Sequence, residues 1–334
     1  MTRKVLIIVN TGTPDSPSVK NVRRYLSEFL NDKHVIDLPW LIRKFLVNII
    51  IVPFRAHRSS LKYRRLWTGE GSPLLINLEK LVNKLRNRLK GKYEVIGATR
   101  YGSPSLKKVL EDLGDDPPAS VIVFPLYPQY ASSTTGSVNE LTISILGGFE
   151  ANPGLKVVKQ YYDNPSYLDS VVWQVRKFDL SACDHILFSY HGLPMRQIQK
   201  IHPEKDCASC NCMEKLPADC KLCYRASCYE TTRLLAGKLQ LSNGKYSTSF
   251  QSRLSRNWLS PFTDNVLKKL AVSGSRRVLV VAPSFTADCL ETLTEIGEEY
   301  NALFRSYGGD QLDLVPALNY DDKWADAIIE IAGL

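Results

Sequence analysis

The sequence predicts an α/β protein whose parallel sheets are covered by helices on both faces. One observation is that short β-branched runs, bounded by Pro and Gly, alternate with longer helical patterns. Another is the size of the chain, since 334 residues, 44% of them hydrophobic, suffice for one large domain or two linked lobes. The runs predicted as buried strands are KVLIIVN, YEVIGATRY, SVIVFPLYP, HILFSYHG and RRVLVVAPS.

An internal repeat is the third observation. VLIIVNTGTP near the start resembles HILFSYHGLP in the middle, because each is a buried strand that breaks at a polar residue before Gly-x-Pro. ASVIVFPLYPQYASSTTG and SRRVLVVAPSFTADCLET form a second such pair. The repeat predicts two similar lobes with a boundary between Pro153 and Pro165. Ligands of open α/β folds bind beyond the carboxyl ends of the strands, so we expect all four segments at one cleft.

The N-terminal run and the net charge bear on the location of the protein and on the ligands it can bind. The N-terminal run MTRKVLIIVN is too short for a secretory signal and has no small-residue cleavage site, which predicts a cytoplasmic protein with a buried first strand. The net charge is +9, but Lys and Arg are scattered and no nucleic-acid fingerprint accompanies them. An anionic small molecule or a membrane surface fits this charge. Nucleotide binding is poorly supported, because the chain has no G-x-G-x-x-G or Walker loop.

The segment 39–58, PWLIRKFLVNIIIVPFRAHR, is strongly apolar. Its longest uncharged run, between Lys44 and Arg55, is about half of what a bilayer span needs, so we expect it not to cross a membrane. Two interpretations stay open at this stage. The segment is either a core helix, or an apolar lip around a pocket or an interfacial contact.

The candidate chemistry begins with a histidine and a row of carboxylates. His191 directly follows the strand pattern ILFSY, at the predicted cleft. After VLVVAPS, Thr286 is expected to cap a helix on which Glu291, Glu295 and Glu299 recur every four residues and share one face. The opposite face is predicted to carry Leu290, Leu293, Ile296 and Tyr300. A base of near-neutral pKa beside hard oxygen ligands suits proton transfer and a divalent metal ion.

Six of the eight cysteines lie in one stretch, CASCNCMEKLPADCKLCYRASC, residues 207–228. In the reducing cytoplasm clustered thiols are more often metal ligands or redox groups than disulfides. The spacing therefore predicts an iron–sulfur cluster or a zinc ion.

Seven segments, in order and along nearly the whole chain, resemble the pattern of the ferrochelatase family. They are NTGTPDSP, GEGSPLL, TRYGSPSL, FPLYPQYASSTTGSV, FSYHGLP, FQSRLSRNWLSP and FTADCLETLTEI. The resemblance implies the chelatase fold, with two Rossmann-like lobes built on four-stranded parallel sheets and the active-site cleft between them. The lobes would span 1–158 and 159–319, with the last helix, within 320–334, packing back on the first lobe.

The same resemblance implies roles for individual residues. His191 would accept pyrrole protons or bind the incoming metal, and Glu291 would be its partner across the cleft. Glu295 and Glu299 resemble the acidic line along which Fe²⁺ travels in the family. The residues implied to line the porphyrin pocket or to meet the porphyrin carboxylates are Thr11, Arg100, Tyr101, Tyr130 and Trp258.

This chain departs from the family pattern at two positions. Thr11 occupies a position where relatives can carry Tyr or Met facing the macrocycle. The resemblance therefore does not identify the metal ligand on that side of the ring. Cys289 stands where many relatives have His, which weakens the case for a second histidine in the metal path.

The cysteine-rich segment 204–228 resembles an insertion by which some bacterial ferrochelatases hold a [2Fe–2S] cluster. Cys223 and Cys228 match that subgroup best, and Cys207 and Cys212 are taken as the other two ligands. The C-x₂-C pairs keep zinc open as the alternative. The cysteines held as alternates are Cys210 and Cys220.

The predicted function is insertion of Fe²⁺ into protoporphyrin IX, the last step of protoheme synthesis. The first alternative is a chelatase that loads cobalt into a tetrapyrrole or one that uses coproporphyrin. The alternative of another class is a non-catalytic sensor that binds a tetrapyrrole or an iron–sulfur cluster. Because a binder needs neither His191 nor Glu291, their presence favours the enzyme. The sequence does not specify the oligomeric state.

Overall fold

Two parallel sheets of four strands each form the framework of the chain. The structure, a computed structural model, describes residues 2–150, 153–201, 203–204, 207, 210–218 and 220–334. The first sheet consists of β1 (Lys4–Asn10), β2 (Glu94–Thr99), β3 (Ser120–Pro125) and β4 (Gly154–Val157), in the spatial order β2-β1-β3-β4. The second consists of β5 (His185–His191), β6 (Tyr246–Gln251), β7 (Arg277–Val281) and β8 (Gln311–Leu314), in the order β6-β5-β7-β8.

The two sheets have the same topology, which confirms the predicted fold class. β1 is an inner strand whose Val5 pairs with Glu94 of β2 and with Val121 of β3. β5 occupies the equivalent position, between β6 and β7. Both strands are nearly continuous apolar runs because helices bury both faces of a parallel sheet. In each sheet the chain reverses its direction of winding between the two inner strands, so a crevice opens at their carboxyl ends.

Twelve α-helices surround the sheets in the described part of the chain. The first lobe carries α1 (Val19–Leu30), α2 (Trp40–Phe45), α3 (Val52–Leu66), α4 (Pro73–Arg88), α5 (Leu106–Asp112) and α6 (Ser137–Leu146). After the first sheet follow α7 (Pro165–Val175), α8 (Met195–Gln199), α9 (Tyr224–Lys238), α10 (Thr263–Val272), α11 (Asn301–Ser306) and α12 (Asp322–Ala332).

Three π-helical segments and two 3₁₀ turns interrupt this pattern. The π-helical segments are Leu46–Ile51, Ser132–Gly136 and Leu290–Tyr300. The 3₁₀ turns are Leu180–Ala182 and Asn211–Met213. Because a π-helix makes i→i+5 hydrogen bonds and is rare, such segments often occur at functional sites. All three π-helical segments belong to, or lead into, walls of the cavity described below.

The segment 39–58 forms α2, a π-helical segment and the start of α3, and it presents many of its apolar side chains outward. Trp40, Leu41 and Phe54 are 61%, 72% and 76% exposed. The core-helix interpretation holds for one face alone, since Val47, Val52 and Ala56 are buried in an apolar cluster, and the other face forms an apolar lip. Among the residues that the structure describes, none of the helices has the length and apolar character needed to span a bilayer.

One apolar core connects the two sheets. Trp324 of α12 is fully buried, and its ring centroid lies 6.2 Å from that of Phe124 in β3 and 6.1 Å from that of Tyr167 in α7. Ion pairs at the surface add to this contact, because Lys84 and Arg88 of α4 bind Asp322. The last helix thus packs on elements that precede and follow β4. Residues 151–152 and five positions of the segment 204–228 (205, 206, 208, 209 and 219) lie outside the described residues.

Candidate functional site

A cavity of about 1160 Å³ lies between the carboxyl ends of the two sheets. Its first-lobe wall contains Thr11, which follows β1, and Tyr127, which follows β3. Its second-lobe wall contains His191 at the end of β5 and Ser284 after β7. The predicted cleft therefore lies where the internal repeat placed it. Pockets for small molecules are commonly about 300–1,000 Å³, so this one is large enough for a flat macrocycle.

The apolar lip covers one side of the cavity. Leu38, Leu46 and Ile51 line it, and the neighbouring side chains of the lip face outward. Beneath the lip, α3 packs on α1 in one apolar cluster. Leu290 and Leu293, from the π-helical segment Leu290–Tyr300 (called the π-helix from here on), contact this cluster. The lip is therefore attached to both lobes.

His191 is held in a defined orientation. Its Nδ1 atom lies 2.6 Å from the carbonyl oxygen of Gly192. A carbonyl oxygen only accepts, so Nδ1 carries the proton and the lone pair of the neutral imidazole is on Nε2. The ring packs near Trp258 and Phe285, with centroid distances of 6.4 and 6.2 Å. A half-buried imidazole with an available lone pair in an apolar cavity is suited to accept a proton.

The backbone around His191 is also fixed. The Tyr224 hydroxyl donates to the His191 carbonyl at 2.8 Å, and the His191 amide donates to Ser284 Oγ at 3.3 Å. The Gly192 amide donates to the Gln251 carbonyl at 2.8 Å. The imidazole thus extends from a strand end whose peptide groups all have partners.

Glu291 lies in the first turn of the π-helix and lines the same cavity. Burial raises the pKa of the neighbouring Cys289 thiol, and the Glu291 carboxylate raises it further. Across the cavity wall, burial raises the pKa of the Tyr63 hydroxyl, with Glu291 again the next cause. The Glu291 carboxylate is therefore electrostatically coupled to a thiol and a phenol, both of which stay protonated beside it.

The start of this π-helix differs from the prediction. Cys289, not Thr286, is the N-cap residue, and the Thr286 hydroxyl donates to the Leu126 carbonyl at 3.0 Å. Asp288 holds the preceding turn, since its amide donates to Asn319 Oδ1 at 2.8 Å and its carboxylate accepts from Asn319 Nδ2 at 2.7 Å. The helix that carries Glu291 is thus anchored to the first lobe and to the segment before α12.

Glu295 and Glu299 also line the cavity, but both already have partners. The Glu295 carboxylate accepts hydrogen bonds from the Ser252 amide at 2.9 Å, the Ser252 hydroxyl and the Tyr300 hydroxyl at 2.7 Å. Glu299 forms an ion pair of 2.6 Å with Lys62 of α3. The prediction that Tyr300 lies on the opposite helix face is wrong, because π-helical geometry brings residues five apart together.

Thr11 and Trp258 line the cavity as expected from the sequence. Thr11 Oγ1 lies 2.9 Å from the Tyr127 hydroxyl, so the two form one polar pair on the first-lobe wall. The chain leaves β1 through Gly12, whose φ of +109° suits glycine and where a Cβ would lie 1.8 Å from the Tyr101 carbonyl oxygen. The close approach of the Gly12 backbone to the Tyr101 backbone thus fixes the position of Thr11.

Arg100, Tyr101 and Tyr130, which the resemblance also implies as porphyrin contacts, are not among the side chains that line this cavity. Arg100 and Tyr101 follow the edge strand β2, whereas the crevice opens between the inner strands. Arg100 pairs with Asp32 at 2.7 Å, and the Tyr101 hydroxyl donates to the same carboxylate at 2.9 Å. Tyr130 lies beside the π-helical turn at Gly136.

Asp32 is the centre of a hydrogen-bonded network that includes Arg100, Tyr101 and Ser137. Burial by itself raises the pKa of Asp32, but hydrogen bonds from Ser137 and the His34 amide, with the Arg100 charge, outweigh it and lower the pKa overall. The carboxylate is therefore ionised and fixes the loop that leads to the apolar lip.

Three cations at the cavity mouth were not identified from the sequence. Arg55, Arg58 and Lys62 of α3 line the cavity. Their spacing of three and four residues places them on one helix face, which is the signal that identifies them. Arg55 and Arg58 can meet the carboxylates of an anionic ligand, whereas Lys62 is paired with Glu299.

The six clustered cysteines lie mainly in the protein interior: Cys207, Cys212, Cys220, Cys223 and Cys228 are buried, and Cys210 is partly buried. Burial raises the pKa of Cys212 to about 12, with a further contribution from Cys210. Cys223 is the N-cap residue of α9, and Cys228 lies one turn into this helix. Across the described ranges, no three His, Cys, Asp or Glu side chains come close enough together to hold a metal ion.

Arginines on α9 attach this segment to the second lobe. Arg225 Nη1 donates to the Cys207 carbonyl, and Arg233 Nη1 donates to the Cys212 carbonyl at 3.1 Å and to the Met213 carbonyl at 3.0 Å. The segment is therefore packed against the helix that also carries Tyr224.

Comparison with known proteins gives consistent results. The family model described as ferrochelatase matches residues 3–333. A ferrochelatase of Legionella pneumophila strain Corby is 41% identical over 330 residues, covering 98% of both chains. A ferrochelatase of Pseudomonas fluorescens is 41% identical over 339 residues, covering 98% of this chain and 97% of that protein.

Solved structures give the fold independently of sequence identity. The structure of SirB from Bacillus subtilis with Fe³⁺ matches with a TM-score of 0.55 at 9% identity, covering 99% of this chain and 94% of that chain. This similarity supports the two-sheet fold alone. With the family match over nearly the whole length and the close relatives, it shows that the chain belongs to the ferrochelatase family.

Proposed function

We propose that this protein inserts Fe²⁺ into protoporphyrin IX and releases two protons, the final step of heme synthesis. The observation that carries the proposal is that His191 and Glu291 line one macrocycle-sized, largely apolar cavity in a chain of the ferrochelatase family. A free-base porphyrin must lose two N–H protons when a metal enters, so the site needs proton acceptors inside an otherwise apolar pocket.

His191 is the candidate acceptor of pyrrole protons. Its Nδ1 atom is hydrogen-bonded to the Gly192 carbonyl, so Nε2 is the atom able to take a proton. The resulting imidazolium would keep the Nδ1 hydrogen bond, and the fixed strand end would keep its orientation. Apolar walls around the rest of the macrocycle can use binding energy to hold the ring away from planarity, which exposes its nitrogen lone pairs.

The iron substrate is proposed to reach the ring along the carboxylates. Glu299 lies toward α3, where Lys62 neutralises it, and Glu295 is tied to Ser252 and Tyr300. Because both outer carboxylates are engaged, Glu291 is the group on this line that we propose acts at the reacting metal. Arg55 and Arg58 at the mouth are proposed to bind the porphyrin carboxylates.

We further infer that the cysteines of 204–228 hold a [2Fe–2S] cluster. The proposal rests on the donor chemistry, since such a cluster needs four thiolates and this segment supplies six thiols, five of them buried. The described residues do not gather three of these side chains at one point, so cluster binding would have to bring them together. Cys207, Cys212, Cys223 and Cys228 are the proposed ligands, with Cys210 and Cys220 as alternates. A bound cluster supplies electron-transfer or structural chemistry, and we assign it no step in metal insertion. Zinc is the other occupant that the thiols suit.

The protein is proposed to work in the cytoplasm with its apolar lip on a membrane. The lip exposes Trp40, Leu41 and Phe54 beside basic residues of α3, a combination that suits an interface with anionic lipids. The porphyrin has an apolar ring and two carboxylates, so it would reach the cavity mouth from the membrane side. We propose the division into lobes 1–158 and 159–319, with 320–334 returning to the first lobe, on the basis of the two sheets.

His191→Ala is expected to lower iron insertion by roughly 10²-fold or more while porphyrin still binds, since the change removes the base and leaves the apolar walls. Turnover is measured anaerobically with Fe²⁺, and binding by porphyrin fluorescence. Parallel reactions with coproporphyrin and with Co²⁺ test the substrate assignment. His185→Asn, at the opposite end of the same strand, is the matched control. Near-normal turnover of His191→Ala would contradict the proposal.

If the cysteine segment holds the cluster, the purified protein is expected to be brown, with visible absorption from sulfur-to-iron charge transfer. Cys223→Ser or Cys228→Ser should bleach this absorption, whereas Cys183→Ser, a buried cysteine outside the segment, should not. Soluble yield and activity are expected to fall together, because metal binding contributes to folding. A colourless, fully active protein that contains stoichiometric zinc would contradict the proposed cluster but not the proposed chelatase activity.

The lip is tested by sedimentation with vesicles of phosphatidylcholine and phosphatidylglycerol. Replacing Trp40, Leu41 and Phe54 together by Ser is expected to reduce the bound fraction by roughly tenfold or more, because apolar burial drives interfacial binding. Val272→Ser is the control, since Val272 is 73% exposed on α10, outside the lip. Equal binding by the triple variant and the wild type would remove the proposed membrane contact.

A further inference from the structure

The loop 252–258 leaves β6 beside His191 and forms part of the cavity wall. The strand ends at Gln251, which pairs with His191 of β5 in the second sheet. Within the loop, Ser252 and Trp258 line the cavity, and the ring centroid of Trp258 lies 6.4 Å from that of His191. The position of this loop therefore shapes the cavity next to the proposed base.

The end of this loop is held by backbone hydrogen bonds to the chain that follows β5. The Met195 amide donates to the Asn257 carbonyl at 2.9 Å. The Leu259 amide donates to the Leu193 carbonyl, also at 2.9 Å. The end of the loop is thus fixed by main-chain groups, which most side-chain substitutions leave in place.

The start of the loop is held by a carboxylate of the π-helix. Ser252 has a φ of 62°, in the left-handed region that is unfavourable for a residue with a Cβ atom. Its amide donates to Glu295 Oε1 at 2.9 Å, and its hydroxyl donates to Glu295 Oε2. Two hydrogen bonds to one carboxylate therefore stabilise Ser252 in a conformation that the residue does not favour by itself.

The Glu295 carboxylate accepts from two further residues. The Tyr300 hydroxyl donates to Oε1 at 2.7 Å, which the π-helix allows because it brings residues five apart together. Gln251 Nε2 donates weakly to Oε2 at 3.5 Å and also donates to the Glu291 carbonyl at 3.1 Å. An ionised carboxylate has about four acceptor positions, and these contacts occupy them. A metal ion would have to displace one of these donors to bind Glu295.

We propose that Glu295 is a positioning residue for porphyrin binding, which holds Ser252 and thereby fixes the loop 252–258 as a wall of the cavity. The inference rests on the proposed chelatase function and narrows the iron path within it. Because the acceptor positions of Glu295 are occupied, this carboxylate is assigned to the cavity wall and not to carrying Fe²⁺. Its loss is therefore expected to weaken the binding of porphyrin and not the use of iron.

Glu295→Gln tests this role by separating the two substrates. The amide accepts at one end alone, so the donors around it lose partners and the loop is released. The Kd for protoporphyrin IX, measured by fluorescence titration without iron, is expected to rise about five- to tenfold, while KM for Fe²⁺ at saturating porphyrin changes less than about twofold. Glu298→Gln, at an exposed position of the same helix, should keep both wild-type values. An unchanged porphyrin Kd, or a KM for Fe²⁺ that rises beyond this limit, would overturn the proposal.

Limited proteolysis gives a readout independent of activity. Arg253 and Arg256 are exposed trypsin sites inside the loop, and mass spectrometry identifies the fragments that cleavage there produces. Release of the loop in Glu295→Gln is expected to speed this cleavage about tenfold, because local opening controls access of the protease. Cleavage at Lys108, exposed on α5, reports general unfolding and should keep its wild-type rate. Equal loop cleavage in Glu295→Gln and the wild type would contradict the inference.

Ser252→Ala is the second variant, and it decides the question in the same way if Glu295→Gln does not fold. It removes one of the two hydrogen bonds from Ser252 and keeps the carboxylate, so loop cleavage is expected to rise by about threefold with KM for Fe²⁺ unchanged. Loop cleavage at the wild-type rate would overturn the inference. A wild type that inserts no metal into any porphyrin would overturn the proposed function and the inference with it, whereas an active wild type whose loop does not depend on Glu295 overturns the inference alone.

Discussion

The apolar core shared by the two sheets is the interaction on which the cavity depends. His191 and Glu291 belong to the second half of the chain and Thr11 to the first, so their relative positions require the two lobes to be fixed. Trp324 provides this by packing against Phe124 and Tyr167. A close-packed core transmits small displacements, and the cavity walls therefore behave as one body. The hydrogen bonds between Asp288 and Asn319 extend the same connection to the helix that carries Glu291.

The cavity separates two kinds of charge. Cations of α3 lie at the mouth, where they can attract an anionic macrocycle, and carboxylates of the π-helix lie along one wall, where they can attract a metal cation. Lys62 and Glu299 meet at the boundary of the two regions. This pair links the lip to the π-helix, so substrate binding at the mouth and the position of the carboxylates are physically connected.

The features predicted well from the sequence are those determined by local patterns. Strands buried on both faces give apolar runs, and a residue at the end of an inner strand, such as His191, must lie at the cleft. The position of Arg100 outside the cavity lining could not be predicted, because its partner Asp32 is 68 residues away and because strand order, which puts β2 at the edge, depends on long-range pairing. The contact of Tyr300 with Glu295 was missed because periodicity does not distinguish a π-helix from an α-helix. The outward orientation of the lip depends on how α2 and α3 pack, which its apolar composition does not specify.

The central claim is that Glu291 acts on the metal or its protons at the porphyrin and does not merely collect iron. The most direct test is the initial rate of anaerobic iron insertion by Glu291→Gln as Fe²⁺ is varied, with Glu298→Gln, an exposed glutamate of the same helix, as control. The account predicts a loss of kcat of roughly 10²-fold or more that high iron does not restore, with the control unchanged. A normal kcat with a raised KM for iron would contradict it, because Glu291 would then serve delivery alone.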